Sequence, residues 1–185
     1  MGERKTVNII GAGLSGLSAA ITLARAGIGC NLISSQPSER AQSVLAEGGI
    51  NAALDTMGEN DTPQEHFVDT MRGGCNLEAE RAVRNMTEHA PEIVRELVRL
   101  GVPFCSEGGK LILRNFGGQK RKRTAYAKSS TGKIIMTALI DETRKYEVQG
   151  LIRRLSHHGL MGMDVADGAL RSITIRDLFR KTCFS

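Results

Sequence analysis

Val7-Asn8-Ile9-Ile10, followed by Gly11-Ala12-Gly13-Leu14-Ser15-Gly16, constrains this chain more than any other stretch. A strand-length apolar run leads into G-x-G-x-x-G and then into a small-residue helical pattern, the order found in a Rossmann-type βαβ unit. In such a unit Gly11 makes the tight turn off the strand, Gly13 lets the backbone approach a pyrophosphate, and Gly16 lets the helix pack close to the sheet. The phosphates then face the free N–H groups and the positive end of the helix. G-x-G-x-x-G by itself also occurs in plain turns. Here a strand pattern precedes it and a helix pattern follows, which favours a dinucleotide site.

The next residues complete the unit. Leu14, Leu17, Ile21 and Ala24 recur at helical spacing, so residues 14–26 read as an amphipathic helix closed by Gly27. Cys30-Asn31-Leu32-Ile33-Ser34 reads as the second parallel strand, and the roughly 30-residue length suits a βαβ unit. Asp or Glu is expected at the end of that strand to hold a ribose hydroxyl. Ser34 and Ser35 stand there instead. A serine makes the same hydrogen bond without the charge, so the substitution argues against NAD more than against a nucleotide site.

Farther along, Ala46-Glu47-Gly48-Gly49 enters another small-residue segment, and its glycine pair marks either a plain turn or a backbone lying flat against a ligand. Residues 64–72 read as a helix ending at Gly73-Gly74. A second helical region runs from Leu77 to Gly101 with Ala79, Ala82, Val83 and Met86 on one face. Pro91 restarts it, and Ile93, Val94, Leu97 and Val98 carry it on. After a glycine-punctuated, partly β stretch (Lys110 to Leu113), residues 132–146 form a helix with Ile135, Met136, Leu139 and Ile140 inward. Gly159–Val165 and Leu170–Asp177 read as strands joined by the hairpin signal Asp167-Gly168. The pattern predicts an α/β, Rossmann-like domain with a parallel sheet, incomplete, and a small β-hairpin near the C-terminus.

Composition narrows the function classes. With 41% hydrophobic and 24% charged residues, the chain matches globular proteins rather than disordered ones. No apolar run approaches the roughly 20 residues that span a bilayer, and no signal-peptide core is visible, so a cytoplasmic protein without membrane insertion is expected. Cys30, Cys75, Cys105 and Cys183 lack C-x-x-C spacing, which predicts reduced thiols without metal or disulfide roles. The net charge of +5 draws on Lys120-Arg121-Lys122-Arg123. That run reads as a nucleic-acid patch or a solvated loop tip; without interleaved aromatics the loop tip is favoured, and no nucleic-acid partner is expected. His66 and His89 read as surface or helix-packing residues. His157-His158 lacks further metal ligands, and Cys75 reads as packing rather than as a nucleophile.

The order of motifs resembles the fumarate reductase/succinate dehydrogenase/L-aspartate oxidase flavoproteins. The matching segments begin with Gly11 to Ala20 and Ser43-Val44-Leu45-Ala46-Glu47-Gly48-Gly49-Ile50-Asn51-Ala52-Ala53-Leu54. They continue with Glu65 to Gly74, Gly101-Val102-Pro103-Phe104, Asn115-Phe116-Gly117-Gly118-Gln119, Arg123-Thr124-Ala125-Tyr126 and Ser130-Thr131-Gly132. The resemblance implies FAD, held by Gly11, Ala12, Gly13, Leu14, Ser15, Gly16, Ser34, Ser35, Ser43, Ala46, Gly48 and Gly49. Glu47 and Phe116 would lie near the substrate. It assigns no catalytic residue and no metal ligand within this chain.

The resemblance also implies that residues 1–185 are the N-terminal part of an FAD-binding domain, the capping and substrate domain lying outside them. A second glycine-rich segment of Ala-Thr-Gly-Gly type is expected after the strand at 170–177, yet the sequence ends at Ser185. The implied activity is hydride transfer at flavin N5 with a small carboxylate substrate. The implied partners are a missing C-terminal half or an iron–sulfur electron-transfer subunit. The alternative is a truncated or split-gene fragment that binds nucleotide at most; the chain alone is expected to be inactive. Two departures carry chemistry. Gln42 replaces the histidine to which the membrane-bound respiratory members attach FAD, which predicts non-covalent FAD. Glu47 replaces their usual Gln, and a carboxylate there opposes an anionic dicarboxylate unless protonated or paired.

Overall fold

The computed structural model describes residues 6–184. In chain order the elements are β1 (Val7–Ile10), α1 (Leu14–Arg25), β2 (Cys30–Ser34), β3 (Ile50–Asn51), α2 (Pro63–Gly73) and α3 (Glu80–Arg99). Then come β4 (Ser106–Glu107), β5 (Lys110–Leu111), β6 (Leu113–Arg114), β7 (Thr124–Ala125) and α4 (Thr131–Val148). The last four are β8 (Ile152–Ser156), β9 (His158–Ala166), β10 (Ala169–Asp177) and β11 (Cys183–Phe184). They divide into two compact units, residues 1–44 with 139–185, and residues 45–138.

The first unit contains the predicted βαβ. Val7 to Ile10 pair in parallel with Cys30 to Ile33, and α1 provides the crossover. Helix α1 buries Leu17, Ala20, Ile21 and Ala24, and Gly27 (φ +72°) supplies the left-handed residue after its end. A Cβ at Gly16 would overlap the Gly11 carbonyl oxygen, so the turn and the helix approach closely only because residue 16 is glycine.

Strand β2 is central, flanked by β1 and β8. The sequence reading does not contain β8: Arg153 and Arg154 interrupt its apolar run. Its register with β2 (Cys30↔Ile152 to Ser34↔Ser156) supplies backbone partners that periodicity cannot reveal. The predicted hairpin forms between β9 and β10, with Asp167 (φ +52°) and Gly168 (φ +73°) both left-handed as a type I′ turn requires.

In the second unit Thr62 caps α2 by accepting the Glu65 N–H at 3.1 Å, and Pro63 occupies the first helical position. Helix α3 runs unbroken through Pro91, which corrects the expectation of a restart there. It also begins at Glu80 rather than Leu77. Its buried stripe is Val83, Thr87, Ala90, Pro91, Val94 and Leu97, so apolar packing on both sides of the proline holds the helix across the missing hydrogen bond. Met86, Ile93 and Val98 face outward instead of inward. Strand β7 pairs antiparallel with both β3 and β6, while β4 and β5 form a separate hairpin. Helix α4 buries Ile135 and Met136 in its first half, within the second unit. Leu139 and Ile140 are buried where it continues into the first.

Candidate functional site

Strands β1 and β2 end side by side, and a cavity of about 410 Å³ opens at their carboxyl ends. Crevices in that position are where open α/β sheets bind ligands. Gly11 and Ala12 line it from the first turn, Ser34 and Ser35 from the end of β2, and Arg40 and Gln42 from the segment beyond. Gly11 adopts φ +107°, which a side chain would make costly. Helix α1 starts from Gly13 with no side-chain cap and no acidic residue in its first turn. Its first N–H groups therefore have no intrahelical partner and carry the positive end of the helix dipole.

Ser43 stands beside that helix start, its hydroxyl accepting the Leu14 N–H at 3.4 Å. A Cβ at Gly13 would come within 3.2 Å of the same hydroxyl oxygen. Ser15 is exposed at the helix start. The Ser34 hydroxyl donates to the Gln36 carbonyl at 2.6 Å, which leaves its lone pairs to accept but spends its proton. Among the described residues no carboxylate lines the cavity, whereas Arg40 does. The sequence reading missed Arg40 because it lies in a polar, turn-like stretch without periodicity.

In the second unit the Ala46–Gly49 segment is tied down by its carbonyls. Ala46 accepts from the Gly132 N–H at 2.7 Å, and Glu47 accepts from the Thr131 hydroxyl at 3.5 Å. Gly49 sits at φ +122°, and a Cβ there would lie 2.6 Å from the Ala125 carbonyl oxygen. Phe116 and Gly48, both singled out from sequence, meet: the ring lies 3.0 Å from where a Gly48 Cβ would be. Phe116 is 54% exposed, so its role is not that of a core residue. The Glu47 side chain is exposed as well.

A second cavity, of about 440 Å³, is lined by Asn51, His66, Asp69, Arg72, Gln119 and Arg123 among others. Here the loop-tip reading of residues 120–123 needs correction. Arg121 and Lys122 pair with Glu65 and Glu59 near the surface, but Arg123 is fully buried. Its Nε and Nη2 donate to the two Asp61 oxygens at 3.1 and 2.7 Å, and Nη1 lies 3.1 Å from Asp69. This fork-to-carboxylate geometry is the strong form of the Arg–Asp pair. His66 packs beside it, and burial, reinforced by the Arg123 cation, lowers its pKa from 6.5 to about 4.

Cys75 is exposed at φ +57°, which corrects its reading as a packing residue. His157 and His158 lie against the rings of Phe179 and Phe184. Among the described residues no group of three His, Cys, Asp or Glu is arranged to hold a metal ion, and no helix is long and apolar enough to cross a membrane.

Known proteins resemble the chain over most of its length. The FAD binding domain family matches residues 6–179. The succinate dehydrogenase flavoprotein subunit of Bacillus subtilis is 41% identical over 166 residues, 89% of this chain and 28% of that protein. The 8-methylmenaquinol:fumarate reductase flavoprotein subunit of Wolinella succinogenes is 32% identical over 93% of this chain and 28% of its own length. Among solved structures, the FrdA chain of E. coli quinol fumarate reductase superposes with a TM-score of 0.86 at 30% identity. It covers 94% of this chain and 30% of that one. The chain thus spans less than a third of the length of these relatives. It belongs to the FAD binding domain family, its cofactor is FAD, and its homologues include the flavoproteins of succinate dehydrogenase and fumarate reductase.

Proposed function

We propose that residues 1–185 are the N-terminal part of the FAD-binding domain of a fumarate-reductase-type flavoprotein oxidoreductase acting on a small carboxylate. The observation that carries the reading is the uncapped start of α1 beside the cavity at the ends of β1 and β2. The residues present fit the cofactor. Gly16 admits the close turn, the free N–H groups of Gly13 and Ser15 suit a pyrophosphate, and Arg40 adds a positive charge without an opposing carboxylate in the described lining. Ser34 and Ser35 would accept from ribose hydroxyls, and Ser43 would hold the phosphate end of the site. Ala46, Gly48 and Gly49 are proposed contacts on the strength of their motif.

When bound, FAD supplies hydride transfer at flavin N5 to or from a bond next to a carboxylate. The chain's own part is to orient and to exclude. An exposed Gln42 amide carries no imidazole nitrogen that could bond to the flavin, so the cofactor is held non-covalently. Phe116 would present an apolar ring to the substrate and shed water from it. Glu47 would repel a second carboxylate unless paired or protonated, which selects against a freely dianionic substrate. Because the relatives are named as subunits, an iron–sulfur electron-transfer subunit is the proposed partner in a full-length form, and the cytoplasm its compartment. The short share of each relative that the chain spans supports a second element of the proposal: the 185-residue polypeptide binds FAD without turnover by itself.

The test is Gly13→Val. Its β-branched side chain would press on the Ser43 hydroxyl and cover the amides at the helix start. Purified wild-type chain reconstituted with FAD should retain flavin and the variant should lose it. Equal flavin content in the two would sink the assignment.

A further inference from the structure

We propose that Arg114 is a positioning residue for the cofactor, holding the Gly48–Gly49 backbone in one orientation through the Gly48 carbonyl. The inference rests on reading Gly48 and Gly49 as FAD contacts. Arg114 lies on β6, paired in register with Thr124 of β7. Its Nη2 donates to the Gly48 carbonyl at 2.8 Å, a bond between residues 66 positions apart. The guanidinium carbon sits 4.2 Å from the centre of the Tyr126 ring and 5.7 Å from that of Phe116. Stacking of this kind removes the swing that a long side chain otherwise keeps. Nε is buried with no hydrogen-bond partner, so the arginine is held in place at the expense of one donor.

The consequence follows from peptide geometry. In a trans peptide the C=O of one residue and the N–H of the next point in opposite directions. Fixing the Gly48 carbonyl on Arg114 therefore directs the Gly49 N–H away from it. The Glu47 and Ala46 carbonyls are held in the same way by Thr131 and Gly132, which directs the N–H groups of Gly48 and Glu47. Three successive peptide planes are thus each anchored at the carbonyl, which fixes where their N–H groups point. Arg114 is the charged anchor of the three. Phe116 also limits the segment, since even a methyl at Gly48 would meet its ring at 3.0 Å.

The experiment uses the full 185-residue chain with FAD, comparing wild type with Arg114→Met, Arg114→Lys and Tyr126→Leu. The readouts are FAD affinity by fluorescence titration, the visible absorption band of the bound flavin, and its midpoint potential. Loss of one charge-assisted hydrogen bond should weaken FAD binding roughly tenfold in Arg114→Met, with a shifted absorption band. Arg114→Lys keeps the charge but not the planar fork, and should show the same shift. Tyr126→Leu removes the stack alone and should show it in smaller measure, which keeps the inference testable if an Arg114 variant fails to fold. Wild-type affinity, band and potential in all folded variants would overturn the inference while leaving FAD binding intact. A wild-type band in Arg114→Lys alone would overturn it too, because charge rather than orientation would then be at work. A wild-type chain without FAD affinity would overturn both this inference and the reading it rests on.

Discussion

Acidification should destabilise this protein through one histidine. His66 lies on α2, only 4% exposed, with Nδ1 buried and without a hydrogen-bond partner. Burial is the largest effect and Arg123, which opposes a proton on the ring, adds to it; together they outweigh Asp69, which favours one, and the pKa falls from 6.5 to about 4. The native ring is therefore neutral where an unfolded one already takes up a proton. Stability that is fully present above pH 6.5 is lost progressively as the pH falls toward 4. The interval between 6.5 and about 4 corresponds to about 3 kcal/mol, each tenfold step being worth 1.36 kcal/mol. Urea unfolding of wild type and His66→Asn at pH 7.5 and 4.0 isolates this contribution, because the carboxylates titrate in both proteins and cancel. Wild type should lose about 3 kcal/mol more than the variant over that range. Equal losses, or a His66 ring titrating near 6.5 by NMR in the native protein, would refute the reasoning.

FAD bound to the chain should be released by acid or heat, since Gln42 offers no imidazole; a flavin-fluorescent band at the protein's mass after denaturing electrophoresis would contradict this. Arg123→Met should cost about 3–5 kcal/mol by leaving the buried Asp61 and the half-buried Asp69 without their cation, measured as a lowered urea midpoint. Asp61→Leu in the same background should recover part of that loss, and full additivity of the two changes would show that the pair is not coupled. Reduced methyl viologen with fumarate should not be turned over by the 185-residue chain plus FAD. Sustained FAD-dependent turnover would show that this polypeptide is sufficient for catalysis.

The parts of the fold that sequence made legible are those built from neighbours in the chain. The turn at Gly11 to Gly16, α1, β2 and the Asp167-Gly168 hairpin are specified by short-range chemistry: glycine at positive φ, apolar residues at period 3.6 or 2, and a turn dipeptide. Strand β8 escapes because its partner β2 lies more than a hundred residues earlier and its own pattern is broken by Arg153 and Arg154. Pro91 misleads for a related reason. The local rule ends a helix there, but a buried stripe on both sides of the proline gains more than the lost hydrogen bond costs.

The candidate site divides along the same line. Gly13, Ser34 and Gly48 were visible because glycine and serine at those offsets have a local meaning. The groups that position them were not, since an arginine has no local signature that tells a solvated tip from a buried anchor. Lys120 to Arg123 looks uniform in sequence, yet Arg121 and Lys122 pair at the surface while Arg123 sits 1% exposed between Asp61 and Asp69. All three meet carboxylates from residues 59–69; what separates Arg123 is that its pair with Asp61 is closed away from solvent, which is a tertiary event. Arg114 follows the same logic, finding Gly48 across 66 residues. The local motif thus marks the chemical groups that would meet the cofactor, and long-range charged contacts set how rigidly those groups are presented. Residues of the second kind are the ones whose substitution should change flavin properties while the motif itself stays intact.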